Sequence, residues 1–531
     1  MVKDRTNHIV RGAFILTMAG LLSKVLSATY RIPLQNLTGD FGFYIYQQVY
    51  PLLGTVMILA LYGFPTAISK LTAEQTLANK PLTARSFYIP LFVILFMING
   101  VIFITLYSLA PVIVTWMGDE QLLRSFRFAA FLFLLIPFIA LLRGVTQGKG
   151  MMQQTAYSQI AEQLIRVTII ITASYLIFIG KLDIYQIGEA GVLATLLGMV
   201  MALLVFIWFV PKRKHRPLNE VSTNIPWKYY LMTCLLIGVL ATFNHLILLL
   251  MQMVDTLTIV PSLIESGFSP VKAMETKGVF DRGQPLIQFG VVFGSSFALA
   301  LIPNVVRKQS KDTDKQTSTI RDAFLFGFYI TLGATLGLFA LMPETNILLF
   351  TNGDGTSSLQ ILSLTLVLTA LSITGAAVLQ SIGHIKAIVY SVTGAVAMKF
   401  SLNVILVPIL DIRGSAIATV CSILFLTLVI FAFVDKKISD IRFFQHIHWK
   451  ALLIASVSMM LYIYGLRFVF LSFVDPTRGM LLFYILFVIG TGAILYLVVL
   501  LRYQVLSDKQ IQALPFSTTI LRVKDMVEKR G

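Results

Sequence analysis

Stretches of about twenty consecutive, mostly apolar residues recur along this chain from its N-terminal region to residue 501. Such a run matches the roughly 30 Å hydrocarbon core of a bilayer at about 1.5 Å of helical rise per residue. In lipid every backbone N–H and C=O must be paired within the chain, so these runs read as helices. About fourteen are recognisable, near 11–31, 44–69, 87–109, 127–147, 156–179, 187–210, 229–259, 284–304, 323–342, 359–381, 387–409, 414–434, 449–471 and 479–501. Only 13% of the 531 residues are charged, against about 25% in soluble domains. No polar connection is long enough to fold as a soluble domain. The expectation is an all-α integral membrane protein.

A net charge of +17 would direct a soluble protein toward nucleic acid. Here its distribution points instead to membrane topology and anionic lipid. With the N-terminus in the cytoplasm, alternate connections collect Lys70, Lys80 and Arg85, then Lys212, Arg213, Lys214 and Arg216, then Arg307, Lys308 and Lys311, then Lys436, Lys437 and Arg442. The opposite connections are poor in basic residues; Glu344 to Ser358 has none. This positive-inside pattern fits an even number of spans and both termini in the cytoplasm. Cys234 and Cys421, the only cysteines, fall within apolar stretches and offer no disulfide or metal framework. The first apolar core runs into Ser23 and Lys24 without a small-residue cleavage site, so it reads as a span and not a signal peptide.

Two distant segments align without a gap: VTQGKGMMQQTAYSQIAEQLIRV from Val145 and VLQSIGHIKAIVYSVTGAVAMKF from Val378. Gln147 meets Gln380, Gly150 meets Gly383, Tyr157 meets Tyr390, Ser158 meets Ser391 and Arg166 meets Lys399. The matches include polar, aromatic and basic positions, which indicates duplication. Both copies run the same way along the chain, as in transporters whose halves are parallel repeats about an axis normal to the membrane.

Ionisable residues inside spans cost about 2.5 to 3.5 kcal/mol each on insertion scales and are therefore the best functional pointers. Lys24 and Arg31 are seven residues apart, close to two helical turns, and share one helix face with no acid between them. Glu162 and Arg166 form an i,i+4 pair, in the favourable order for an ion pair that neutralises itself or for a pair facing a cavity. Lys399, the counterpart of Arg166, has Ala395 where the first copy has Glu162. Asp255, near the outer end of the seventh span, either faces a wet vestibule or marks the interface. Arg282, in FDRGQPLIQ, stands just ahead of the eighth span, whose first turn suits Pro285. Deep cations outnumber deep acids, and a basic solvated cavity suits a multiply negative phosphate group.

The segment Arg143 to Val167, FDRGQPLIQ from Phe280, LYGFPTAISKL from Leu61 and AGLLSKVLSATYRIPL from Ala19 together resemble the polysaccharide-transporter branch of the multidrug/oligosaccharidyl-lipid/polysaccharide (MOP) superfamily. Within it they are similar to the stage V sporulation protein B branch, related to lipid II flippases. GSAIAT at Gly414 and its echo AGVLAT at Ala190 fit the twelfth and sixth helices of that family. The resemblance covers nearly the whole chain. It implies two pseudo-symmetric six-helix lobes, 1–215 and 216–440, a C-terminal helix pair at 441–505 and a cytoplasmic amphipathic tail at 506–531. It implies a bacterial cytoplasmic-membrane flippase, not an enzyme, with no cofactor or metal. Its implied cargo is an undecaprenyl-pyrophosphate-linked saccharide, carried from inner to outer leaflet by alternating access. Lys24, Arg31 and Arg282 match the basic positions expected to grip the pyrophosphate; Arg166 and Lys399 join them as candidates, and Asp255 and Glu162 as candidate sites for a Na⁺ or H⁺ counter-ion.

The alternative within the superfamily is a cation-coupled multidrug exporter, which needs cavity acids where this first helix is basic. A membrane enzyme acting on lipid-linked sugars needs an acid–base or metal constellation on a sizeable loop, and the six histidines form no ligand-spaced cluster. A purely structural role would leave several costly buried cations without a use.

Overall fold

A computed structural model describes residues 2–209, 225–288, 290–291, 313–438, 441–473 and 477–506. No strand occurs among them, and eleven of their helical stretches are long and apolar enough to cross a membrane. The chain is therefore an all-α, multi-pass membrane protein. It divides into two compact units, 1–281 and 282–531. The expected eighth span beyond 291, the basic connections at 212–216 and 307–311, and the tail at 507–531 lie outside the described residues.

In the first unit, α1 (Val2–Thr29) and α2 (Arg31–Ile58) meet at Tyr30. The stretch 33–43, read from sequence as a connection, is helical except at Gly39, whose φ of 69° suits a residue without Cβ. A π-helical turn at Leu59–Gly63 leads into α3 (Phe64–Leu77), and a second at Cys234–Val239 follows α9 (Trp227–Thr233). The two turns cross closely: a methyl group on Gly63 would stand 2.6 Å from the carbonyl oxygen of Gly238. Each such turn holds an extra residue and redirects the side chains after it. The unit continues through α4 (Ile89–Met117), α5 (Leu123–Phe131), α6 (Ile136–Gly148), α7 (Met152–Phe178), α8 (Gln186–Phe209), α10 (Phe243–Glu265) and α11 (Pro270–Asp281). Small residues let backbones approach. Gly144 of α6 lies on Ile68 and the Pro65 carbonyl of α3, and Gly198 of α8 lies on the turn of α7 that carries Glu162.

The second unit contains α12 (Thr313–Phe350), α13 (Thr356–Ser363), α14 (Thr365–Ser381), α15 (Ile385–Lys437), α16 (Trp449–Phe473) and α17 (Arg478–Arg502). At about 1.5 Å per residue, α15 is far too long for one crossing. It breaks at Asp411 (φ 53°), between the two spans expected there. The last two helices are fastened to α12: Tyr496 Oη donates to the Tyr329 carbonyl at 2.8 Å, and Arg467 Nε pairs with Glu344 Oε1 at 2.8 Å. On α17, Phe483, Leu486 and Phe487 are exposed, the inversion of soluble packing that a lipid-facing helix requires.

The duplication read from sequence has a backbone counterpart. Gly150, between α6 and α7, has φ 78°, and Gly383, between α14 and α15, has φ 82°. Both close a helix in the left-handed conformation that glycine adopts without strain. The threonines of the two echoed motifs also match, Thr195 Oγ1 donating to the Gly191 carbonyl at 2.9 Å and Thr419 Oγ1 to the Ser415 carbonyl at 2.7 Å.

Candidate functional site

Arg31 begins α2 and is fully buried. Three tyrosines surround it. Its guanidinium carbon sits 4.0 Å from the centre of the Tyr50 ring, and Tyr30 and Tyr46 join Oη to Oη at 2.5 Å beside it. Tyr46 fits because Gly191 of the AGVLAT motif presents no side chain to it. None of the three guanidinium nitrogens reaches a hydrogen-bond acceptor in acceptable geometry. A buried charge normally spends its donors on carboxylates or carbonyls. Arg31 instead keeps five N–H groups available behind an aromatic wall.

Lys24 is exposed, one turn beyond Gly20 on the same face of α1. A methyl on Gly20 would stand 3.7 Å from Tyr62 Oη and 3.9 Å from Gln159 Nε2, so this face looks into the first unit. The outward face carries the exposed Met18 and Leu22. Exposure on an inward face marks open, solvated space. His245 of α10 is also exposed, stacks on Tyr62 at 4.5 Å with 15° between the rings, and lies within electrostatic reach of Lys24.

The expected Glu162–Arg166 pair is part of a triad. Arg166 Nη2 reaches Glu162 Oε1 at 2.8 Å and Nη1 reaches Gln163 at 2.9 Å. Arg143 of α6 takes the other carboxylate oxygen at 2.7 Å, with further bonds to Ser158 and the Ala60 carbonyl. All three side chains are buried, so one carboxylate holds two cations and ties α6 to α7. Arg143 stands in the motif quoted above, but nothing in the sequence marks it as the second partner of Glu162.

Asp255 is buried on α10, within electrostatic reach of Asp281. Asp281 ends α11 and is bound by Lys277 Nζ at 2.5 Å. Burial pushes the Asp281 carboxyl up to about 6, against the opposing pull of Lys277. Arg31 also faces this group. Two acids and two bases thus gather at one end of the first unit. Lys277 escaped the sequence reading because α11 is a short, only weakly apolar helix between spans. At the same end Asp119 receives hydrogen bonds from Tyr44, Tyr185 and the Gln121 amide, while burial raises its carboxyl above the ordinary range.

In the second unit Arg282 is fully buried. It donates to Asn352 Oδ1 at 2.7 Å and Asn346 Oδ1 at 3.3 Å, and lies over the Phe350 ring. Neutral amides supply part of the solvation of this charge. Lys399 is buried with its ammonium on the Ser415 carbonyl (2.9 Å), Ser415 Oγ (3.0 Å) and Thr419 Oγ1 (2.5 Å), the residues of the GSAIAT motif. No cluster of three His, Cys, Asp or Glu side chains placed to hold a metal occurs among the described residues.

Comparison with known proteins agrees with this architecture. The chain is 34% identical to "Uncharacterized membrane protein YabM" of Bacillus subtilis (strain 168), over 99% of this chain and 98% of that one. It is 26% identical to the lipid II flippase MurJ of the same organism, over 78% and 80% of the two chains. A solved structure of lipid II flippase MurJ in an inward closed conformation shares the fold, with a TM-score of 0.66 at 14% identity over 92% of this chain and 98% of that one. Residues 9–309 match the model of a family described as "Polysaccharide biosynthesis protein". This chain belongs to that family.

Proposed function

We propose that this protein is a flippase, moving a saccharide linked to a polyprenyl diphosphate from the inner to the outer leaflet of the bacterial cytoplasmic membrane by alternating access. One observation carries the reading: Arg31 is fully buried with tyrosines around its guanidinium, the Tyr30 hydroxyl closest to bonding it, and no carboxylate or carbonyl among the described residues takes its N–H groups in good geometry. A diphosphate supplies what it lacks, since guanidinium–phosphate hydrogen bonds are charge-assisted and planar in geometry. The relationship to the lipid II flippase MurJ supports a lipid-linked saccharide as cargo, and undecaprenyl is the lipid of this proposal.

In this reading Lys24 draws the anionic head group in and Arg31 grips it, while Arg282, in the second unit, is a further basic residue needed for transport. Arg166 and Lys399, held by Glu162, Gln163, Ser415 and Thr419, stiffen their own helices. A monovalent counter-ion, Na⁺ or H⁺, balances the cycle at Asp255. Glu162, occupied by two arginines, is structural. Both termini face the cytoplasm, as the basic connections favour.

The test is leaflet accessibility of an undecaprenyl-diphosphate-linked sugar in vesicles containing the purified protein. Lys24→Ala, Arg31→Ala and Arg282→Ala should each insert normally and slow flipping at least about tenfold, the loss expected from about 1.4 kcal/mol of charged contact. Full transport by all three variants would overturn the proposal.

A further inference from the structure

His245 is an ionisable group of the first unit that the grip leaves unused. It lies in the first turn of α10, just after the Cys234–Val239 π-turn and a tight 3-10 turn at Leu240–Thr242, while its neighbours Asn244 and Leu246 are buried. These turns deliver its imidazole to the inward space that Lys24 occupies. Tyr62, itself on a π-helical turn, backs the ring at 4.5 Å and fixes its plane. The residue is nonetheless exposed. A solvated imidazole beside an ammonium, held flat by an aromatic partner, is placed to share an anion with that ammonium.

We propose that His245 is a second anion ligand next to Lys24, and that it takes up one proton from water when a diphosphate docks there and returns it when the anion leaves. The inference rests on the flippase reading and adds to it a proton linked to cargo capture. Imidazole is the side chain whose ordinary titration falls in the physiological range. A docked diphosphate supplies the negative charge that draws the proton, and the imidazolium answers with a charge-assisted hydrogen bond. No covalent bond is made or broken.

Few other groups of the first unit compete. Lys24 faces His245 from α1 and Tyr62 from the turn after α2. Behind Tyr62 lies Arg143 of α6, already bound to Glu162 of α7. α10 also packs on α4, whose only titratable side chain is Tyr107, and on α2, which carries Arg31, Asp40, Tyr44, Tyr46 and Tyr50. Asp255, on the same helix, is ten residues away, about 15 Å along the axis. The ionisable residues of α11 are Lys272, Glu275, Lys277 and Asp281, the last of them at the Asp255 end.

The experiment uses the full chain in lipid nanodiscs and undecaprenyl-diphospho-N-acetylglucosamine, a diester whose phosphates stay ionised near neutrality. Calorimetry in buffers of different ionisation enthalpy counts the protons. The wild type should take up close to one proton per ligand near neutral pH, and its affinity should fall by about a hundredfold from about pH 6 to about pH 8, as linkage of one proton over two pH units requires. His245→Gln should bind with no proton uptake and a flat profile. Tyr62→Leu, which frees the ring, should retain uptake with weaker binding. Binding by the wild type without proton uptake, or undiminished uptake by His245→Gln, would overturn this inference alone. Absence of any binding by the wild type would overturn it together with the flippase reading.

Discussion

Arg143 and Glu162 meet at 2.7 Å across two helices, and the same carboxylate holds Arg166. Removing the acid leaves two buried cations without a counter-charge. Removing one partner of a buried ion pair costs about 3 to 5 kcal/mol. Glu162→Gln should therefore lower the unfolding temperature in detergent by several degrees, as followed by tryptophan fluorescence. Arg166→Gln should cost clearly less, because the Arg143–Glu162 bond survives. Equal melting of Glu162→Gln and the wild type would show that this triad contributes nothing to holding α6 on α7.

The ring of Tyr50 covers the Arg31 guanidinium at 4.0 Å. A desolvated cation–π contact is worth about 2 kcal/mol, so losing it should weaken capture of a diphosphate lipid roughly thirtyfold. Tyr50→Phe keeps the ring face and should bind such a lipid nearly as the wild type does. Tyr50→Leu should show the loss. If the two variants bind alike, the ring face does not hold Arg31 in its binding position.

Three glycines separate close packing from simple helix propensity. A methyl on Gly63 would stand 2.6 Å from the Gly238 carbonyl and 2.7 Å from Thr242 Cγ2, and one on Gly278 would collide with the Asp40 carbonyl. Gly100, inside α4, has nothing within 4 Å of that position. Gly63→Ala and Gly278→Ala should each destabilise by about 2 kcal/mol or more, through displaced backbone. Gly100→Ala should stabilise by up to about 1 kcal/mol, through helix propensity alone. Thermal unfolding of the three variants side by side reads the contrast.

Much of this fold is legible in the residues because lipid enforces a simple rule: apolar runs become helices. The repeat was legible too, since Gly150 and Gly383 must both turn the chain, and Gly191 and Thr195 echo Ser415 and Thr419. What stayed hidden is partnership across helices. Glu162 and Arg166 advertise their i,i+4 pairing, but nothing local announces Arg143. The oxygens that hold Lys399 lie 16 and 20 residues away, in a motif noticed for its repetition and not for its hydroxyls. The Tyr30–Tyr46–Tyr50 enclosure of Arg31 depends on the α1–α2 junction at Tyr30, which the apolar pattern puts inside the first span, and on the helical turns at 33–43, which it leaves as a connection. The pairing of His245 with Tyr62 depends on two π-helical turns, and an extra residue per turn leaves no periodic trace.

Asp281 gives the last prediction a definite sign. Its carboxyl titrates near 6 in the folded protein because burial outweighs the pull of Lys277. In the unfolded chain an aspartate titrates near about 3.9. Between those values the folded state holds more protons, so this group's contribution to stability is greatest at low pH and is lost as pH rises through about 6. Asp281→Asn carries no such titration. The wild type should therefore lose unfolding temperature relative to Asp281→Asn as pH is raised from about 4 to about 7. Lys277→Met removes the opposing pull and should move the same loss to higher pH. Superimposable pH profiles for the wild type and Asp281→Asn would mean that the carboxylate is stabilised as well in the folded protein as in water, and that the cluster at this end of the first unit carries no titratable strain.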